Sequence, residues 1–153
     1  GHEVLGMDSS RVGLSKARDL AAERGVRVET VLADLSEFRM SPNSFDALVL
    51  IFCHMPPLMR EKVHADCVTA LRPGGWLLLE AYRPEQLELR TGGPPSAELM
   101  FTLPTLQADF AELEVVRAEE VERDIVEGRL HRGRSATVQV VARKRPESLG
   151  SQE

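Results

Sequence analysis

The sequence predicts an α/β fold built on a doubly wound, mostly parallel sheet that closes with a C-terminal antiparallel hairpin. Three observations carry this. Two short apolar runs end at acids, Val4-Leu5-Gly6-Met7-Asp8 and Val31-Leu32-Ala33-Asp34. A continuous apolar run, Ala47 to Phe52, has the character of a strand covered on both faces. Two late strand-like runs are joined by Glu127-Gly128-Arg129-Leu130-His131-Arg132-Gly133, which reads as a hairpin connection. At 153 residues the chain is about one domain, expected over residues 1–145 and followed by a disordered tail, 146–153.

Taken in order, the first strand runs from Glu3 to Met7, and Ser9 and Ser10 after it are candidate N-caps. The helix they open spans Val12 to Arg24, with Val12, Leu14, Ala17, Leu20 and Ala21 at helical spacing and Gly25 as its stop. A second strand is expected over Val26 to Leu32, and Ser41-Pro42-Asn43-Ser44 is a turn. Pro56 and Pro57 can open a helix that reaches Leu71, since proline suits a first helical turn. Arg72-Pro73-Gly74-Gly75 ends it, and Trp76 to Ala81 is another buried strand. Beyond a long irregular stretch lie a helix over Leu103 to Glu112 and strands near Glu114 to Ile125 and Ala136 to Ala142.

Composition narrows the function classes. With 42% hydrophobic and 28% charged residues and no apolar run near the roughly 20 residues of a membrane helix, no membrane partner is expected. A net charge of −5 argues against a nucleic acid as main partner. The basic late residues Arg129, His131, Arg132, Arg134, Arg143, Lys144 and Arg145 read more simply as solvated strand ends and tail. Cys53 and Cys67 have neither metal-ligand nor redox spacing and read as reduced thiols of a cytoplasmic protein. The four histidines show no metal-ligand spacing, so no metal is expected. The first residues read as a strand and not as a leader.

In a doubly wound sheet the ligand site lies beyond the carboxyl ends of the strands, where Asp8 and Asp34 fall. A carboxylate there can accept hydrogen bonds from both ribose hydroxyls of a nucleoside. Either acid can also be explained locally, Asp8 as a helix-preceding cap and Asp34 as an Asx-type turn in Asp34-Leu35-Ser36. His54 and Tyr82, with Glu80, stand at strand ends and are candidate substrate-facing groups. His54 can act as a base near neutral pH or cap the helix after Pro56. Tyr82 can equally be a packed aromatic. Thr91-Gly92-Gly93-Pro94-Pro95 reads as a lid or as a plain connector.

Asp8, Asp34, Phe45-Asp46-Ala47-Leu48-Val49 and Arg72-Pro73-Gly74-Gly75-Trp76-Leu77, in this order and spacing, resemble a class I S-adenosylmethionine-dependent methyltransferase. Ile51-Phe52-Cys53-His54-Met55-Pro56-Pro57, Leu79 to Gln86, Thr91 to Pro95 and Glu127 to Gly133 are similar to the small bacterial tellurite-resistance branch. The resemblance spans about residues 1–144. It implies a Rossmann-like sheet, S-adenosylmethionine as cofactor with S-adenosylhomocysteine as product, and a small-molecule or metalloid oxyanion acceptor. It places Asp8 on the ribose, with Ser9 beside it, Asp34 on the adenine amino group, Leu35 against the ring, Phe52 in the cofactor site, and His54 and Tyr82 on the catalytic side.

The family's first strand and glycine-rich loop have no counterpart before Asp8, so the chain resembles an N-terminally truncated member. Two strand edges are then expected to lose a shared partner: either they pair directly, or a homodimer or another polypeptide covers them, or the isolated chain is poorly stable. The function expected is methyl transfer, impaired in this chain; the alternative is an inactive methyltransferase-like scaffold or partner-binding remnant. A nicotinamide-dependent oxidoreductase is a third reading, because Asp8 also suits an NAD ribose, but the turn at Arg72 to Gly75 and the terminal hairpin resemble only the methyltransferases.

Overall fold

The computed structural model describes residues 1–126 and 131–146. The chain divides into two compact units, Gly1–Arg39 and Met40–Glu153. Of the expected features, Glu127 to Leu130 of the hairpin connection and residues 147–153 of the tail lie outside the described residues.

The first unit is a β-α-β motif. Strand β1 (Leu5–Asp8) leads into helix α1 (Arg11–Glu23), whose Ser10 cap accepts the Gly13 N–H at 3.0 Å. That satisfies one of the donors a helix start leaves bare. The helix stops at Arg24, and Gly25 follows at φ +64, a left-handed conformation that glycine adopts without strain. Strand β2 is Glu29–Leu32, parallel to β1 with Asp8 opposite Leu32. It is shorter than the expected Val26 to Leu32. The Val26 N–H is spent on the Ala21 carbonyl in closing the helix, so the ladder begins only at Glu29.

The second unit is a four-stranded mixed sheet ordered β3-β4-β6-β5. Strand β3 (Phe45–Ile51) runs parallel to β4 (Leu71–Tyr82), and β6 (Arg132–Arg143) lies antiparallel to both β4 and β5 (Glu114–Val126). Helix α2 (Pro57–Ala70) connects β3 to β4. Short α3 (Gln86–Leu89), a 3₁₀ turn (Ala97–Leu99) and α4 (Leu103–Asp109) connect β4 to β5. Two parallel and two antiparallel strand pairs make the chain's sheets mixed. Among the described residues, β1 has β2 as its ladder partner and β3 has β4, so each keeps one edge unpaired.

Alternation decides which face of the larger sheet is core. Leu50, Leu77, Leu79, Ala81, Val138, Val140 and Ala142 are buried, and the register sets Leu50 beside Leu79, Leu79 beside Val140 and Ala81 beside Val138. Val63, His64, Cys67 and Val68 of α2 and Leu106 and Phe110 near α4 are buried as well. The opposite face differs from expectation. Val49 is 62% and Ile51 51% exposed, and Trp76 and Leu78 are also open. β3 is therefore covered on one face, because a continuous apolar run records composition but not which elements arrive to cover it.

Two polar clusters tie this unit together. His64, fully buried, bonds through Nδ1 to Asp109 Oδ2 at 2.7 Å, and Arg60 Nε donates to the same oxygen at 2.8 Å. Burial pulls the His64 imidazole below its ordinary pKa despite the opposing bond and charge of Asp109, so the neutral ring is the stable form. The second cluster closes α2. Lys144 Nζ donates to the carbonyls of Val68 at 2.9 Å, Thr69 at 3.3 Å and Leu71 at 2.7 Å, and the Ser44 N–H takes the Ala70 carbonyl at 2.8 Å. A cation thus satisfies the orphan carbonyls at the negative end of the helix dipole. Lys144→Met removes these bonds without much loss of volume and should cost about 1–3 kcal/mol, read as a lower urea midpoint at unchanged slope. An unchanged midpoint would show that water replaces the ammonium at no cost.

Candidate functional site

Asp8 is the last residue of β1, and Asp34 lies two residues beyond β2. Parallel pairing of the two strands brings both acids to the same carboxyl edge of the first unit. Each forms the same local motif. Asp8 Oδ1 accepts the Ser10 N–H at 2.8 Å, and Asp34 Oδ1 accepts the Ser36 N–H at 2.8 Å. These Asx turns orient each carboxylate through one oxygen. Both acids are exposed, Ser9 is exposed and Leu35 is half-buried. The Ser36 backbone N–H, then its hydroxyl, hold the Asp34 carboxyl below the ordinary aspartate range, with slight desolvation opposing. The cap of α1 is Ser10, so Asp8 acts as the turn acceptor before the helix and not as its cap.

Gly13 shows how closely the Asp8 carboxylate sits on α1. A Cβ at Gly13 would meet Asp8 Oδ2 at 3.1 Å and Ser10 Cβ at 3.3 Å. Neither of two hollows on the surface is lined by Asp8 or Asp34. One, of about 300 Å³, is bounded by Arg11, Leu14, Ser15, Arg18 and Leu32. The other, of about 160 Å³, lies on the open sheet face beside Ile51, Leu78, Glu80 and Gln139. The strand-end carboxylates of the first unit therefore stand at an open edge, outside both hollows.

The remaining candidates belong to the second unit. Phe52 follows β3 with φ +50, and its ring stacks on Tyr82 with centroids 4.6 Å apart. His54 lies parallel to Tyr82 at 5.6 Å, and exposed His131 stacks on Tyr82 at 6.4 Å. Tyr82 is only 1% exposed and packs with Met100 and Ile125. His54 does not cap α2, whose start has no side-chain cap bond. Its Nδ1 bonds to the Leu99 carbonyl at 3.0 Å and its Nε2 accepts the Tyr82 N–H at 3.2 Å. Both ring nitrogens are thereby committed to backbone, and this geometry leaves His54 no lone pair for general-base work.

Glu80 is also engaged. Arg123 Nε donates to it at 2.8 Å. Burial raises its carboxyl pKa, but hydrogen bonds from Arg123, Gln139 and Thr137 together with the Arg123 charge bring it below the ordinary value. Sequence reasoning missed the role of Gln86. Fully buried, it donates to Thr91 Oγ1 and the Gly92 carbonyl and accepts the Ala136 N–H at 2.8 Å. Those bonds pin the Thr91 to Pro95 segment onto β6 as a connector. Gly93, at φ +96, lies so near Tyr82 that a Cβ would come within 3.0 Å of its ring. Among the described residues no group of three or more His, Cys, Asp or Glu is placed to hold a metal ion. Nor is any described helix long and apolar enough to cross a membrane.

Known proteins resemble the chain over part of its sequence and in its fold. The model of a methyltransferase domain matches residues 1–75, which include Asp8, Asp34 and the turn at Gly74 and Gly75. The fold is that of S-adenosylmethionine-dependent methyltransferases. One similar structure is TehB from Haemophilus influenzae, at TM-score 0.73 and 14% identity over 95% of this chain and 51% of that one. Another is an S-adenosylmethionine-dependent methyltransferase from Methanosarcina mazei, at TM-score 0.73 and 19% identity over 96% of this chain and 84% of that one. The N-methyltransferase NodS from Bradyrhizobium japonicum, solved with S-adenosyl-L-homocysteine, matches at TM-score 0.67 and 14% identity over 93% of this chain and 66% of its own. The chain spans about half the length of TehB. No curated protein matches it in sequence. Residues 1–75 thus carry the sequence pattern of a methyltransferase domain, and the chain has a methyltransferase-like α/β fold.

Gly13→Ala tests the approach of Asp8 to α1. Alanine inside a helix ordinarily gains about 0.5–1 kcal/mol over glycine. Here the added Cβ must displace the Asp8 carboxylate or Ser10, so no gain is expected in urea unfolding, whereas the full gain would contradict the contact.

Proposed function

We propose that the chain is part of an S-adenosylmethionine-dependent methyltransferase acting on a small-molecule acceptor. The observation that carries the reading is the pair of Asx-oriented carboxylates, Asp8 and Asp34, at one edge of a parallel strand pair. This donor set fits a nucleoside. Each carboxylate uses Oδ1 on its own turn, and Asp8 retains acceptor capacity for ribose hydroxyls as Asp34 does for an adenine amino group. Ser9 and half-buried Leu35 are assigned to the same nucleoside. In the second unit Phe52 is assigned to the cofactor and Tyr82 to the acceptor.

When bound, the cofactor supplies a sulfonium-activated methyl group for in-line displacement. What the protein then has to provide is alignment and exclusion of water, not an obligatory nucleophile. The engaged nitrogens of His54 agree with that division of labour. Asp8, Asp34 and Leu35 recognise the adenosine part. We place the protein in the cytoplasm, with neither membrane nor nucleic acid as its partner.

A second reading, a methyltransferase-like scaffold without activity that pairs with a second copy or another chain, is favoured by one observation. β3 has an unpaired edge and exposes Val49 and Ile51 beside it, the kind of edge that invites pairing. Isothermal titration of S-adenosylhomocysteine into the chain, with Asp8→Ala and Asp34→Ala beside it, separates the readings. Methyl transfer predicts binding that each substitution weakens by about tenfold, the worth of about 1.4 kcal/mol of hydrogen bonding. No binding by the folded parent would favour the scaffold.

A further inference from the structure

The segment after β3 combines a strained residue with an unusual use of a histidine. A left-handed conformation, φ +50, in a bulky residue such as Phe52 is strained and persists only where the surroundings over-determine it. Its N–H donates to the Glu80 carbonyl at 2.7 Å, its own carbonyl accepts the His54 N–H at 3.1 Å, and its ring lies on Tyr82. His54 completes the arrangement from the side-chain direction by bridging the carbonyl of Leu99 and the N–H of Tyr82. A carbonyl can only accept and an N–H can only donate. The ring must therefore carry its single proton on Nδ1 and present a lone pair at Nε2.

We infer that His54 is a positioning residue, a neutral Nδ1–H latch that joins the end of β3 to the end of β4 and holds Phe52 and Tyr82 as a stacked pair. The inference rests on the proposed function only in that the pair is assigned there to cofactor and acceptor. Protonation at Nε2 would set one N–H against another and open the latch. Burial pulls the His54 imidazole below its ordinary pKa, against the opposing bond to Leu99. The sign follows from that direction. The latch contributes stability in full above the unfolded value of about 6.5 and loses it as pH falls toward the lower folded value. The titratable groups around it include Tyr82 stacked on its ring, Cys53 next to it in the chain, Glu80 of β4, engaged by Arg123, Glu98 of the 3₁₀ turn, exposed, and His131 on Tyr82, exposed. Among the described residues Glu80, Glu98 and His131 make no hydrogen bond to the His54 ring.

Nitrogen-15 NMR of the imidazole, with the Phe52–Tyr82 ring cross-peak as the readout of the stack, tests this without any cofactor. The parent should show the Nδ1–H tautomer, and the cross-peak should persist at pH about 6.5 and fade only as pH falls further below that value. His54→Gln puts an amide oxygen where Nε2 stands and should keep the cross-peak while abolishing its pH dependence. His54→Asn reaches only the Nδ1 position and should lose it. An Nε2–H tautomer, or a cross-peak equal in both variants and indifferent to pH, would overturn the inference. Because these signals need no cofactor, failure to bind S-adenosylhomocysteine would sink the functional reading and leave the latch intact.

Discussion

The ladder between β4 and β6 is the constraint from which the second unit follows. It sets Leu77 opposite Ala142, Leu79 opposite Val140 and Ala81 opposite Val138, so one face becomes a closed apolar layer and the other is left to alternate residues. A slip of one residue would exchange the two faces entirely. The same register carries β6 on to Lys144, where its ammonium closes the carboxyl end of α2, and sets Trp76 beside Arg143, whose guanidinium lies 5.3 Å from the indole. At the other end it aligns Tyr82 with Thr137 and leaves the Tyr82 N–H to the ring of His54.

Several arginines on or beside this sheet are ion-paired. Arg83 pairs with Glu85 at 3.2 Å and Glu120 at 3.3 Å, Arg134 with Glu122 at 3.3 Å, and Arg123 with Glu80 at 2.8 Å. These arginines are spent on nearby carboxylates. Exposed pairs of this kind contribute little to stability.

Much of the fold was legible because local signals stood where geometry needs them. Ser10 and Gly25 bracket α1, Pro57 opens α2, and the alternating late runs became β5 and β6. What escaped depends on pairing that no local pattern encodes. Val26 to Val28 look like strand but lie outside the ladder, the Val26 N–H closing the helix, and Gln86 gave no hint that its amide would span Thr91, Gly92 and Ala136. The half-open state of β3 was hidden for a similar reason. Of the site, the strand-end acids were legible, and so was their spacing. The commitment of His54 was not, since its partners, Tyr82 and Leu99, lie 28 and 45 residues away.

The central claim is that a nucleoside is recognised at the carboxyl edge of the β1–β2 pair. A crystal structure of the chain with S-adenosylhomocysteine tests it most directly. The account predicts ribose hydroxyls on the Asp8 carboxylate and the adenine amino group on Asp34. Density for the nucleoside elsewhere, with both carboxylates bonded only to their own serine turns, would contradict it.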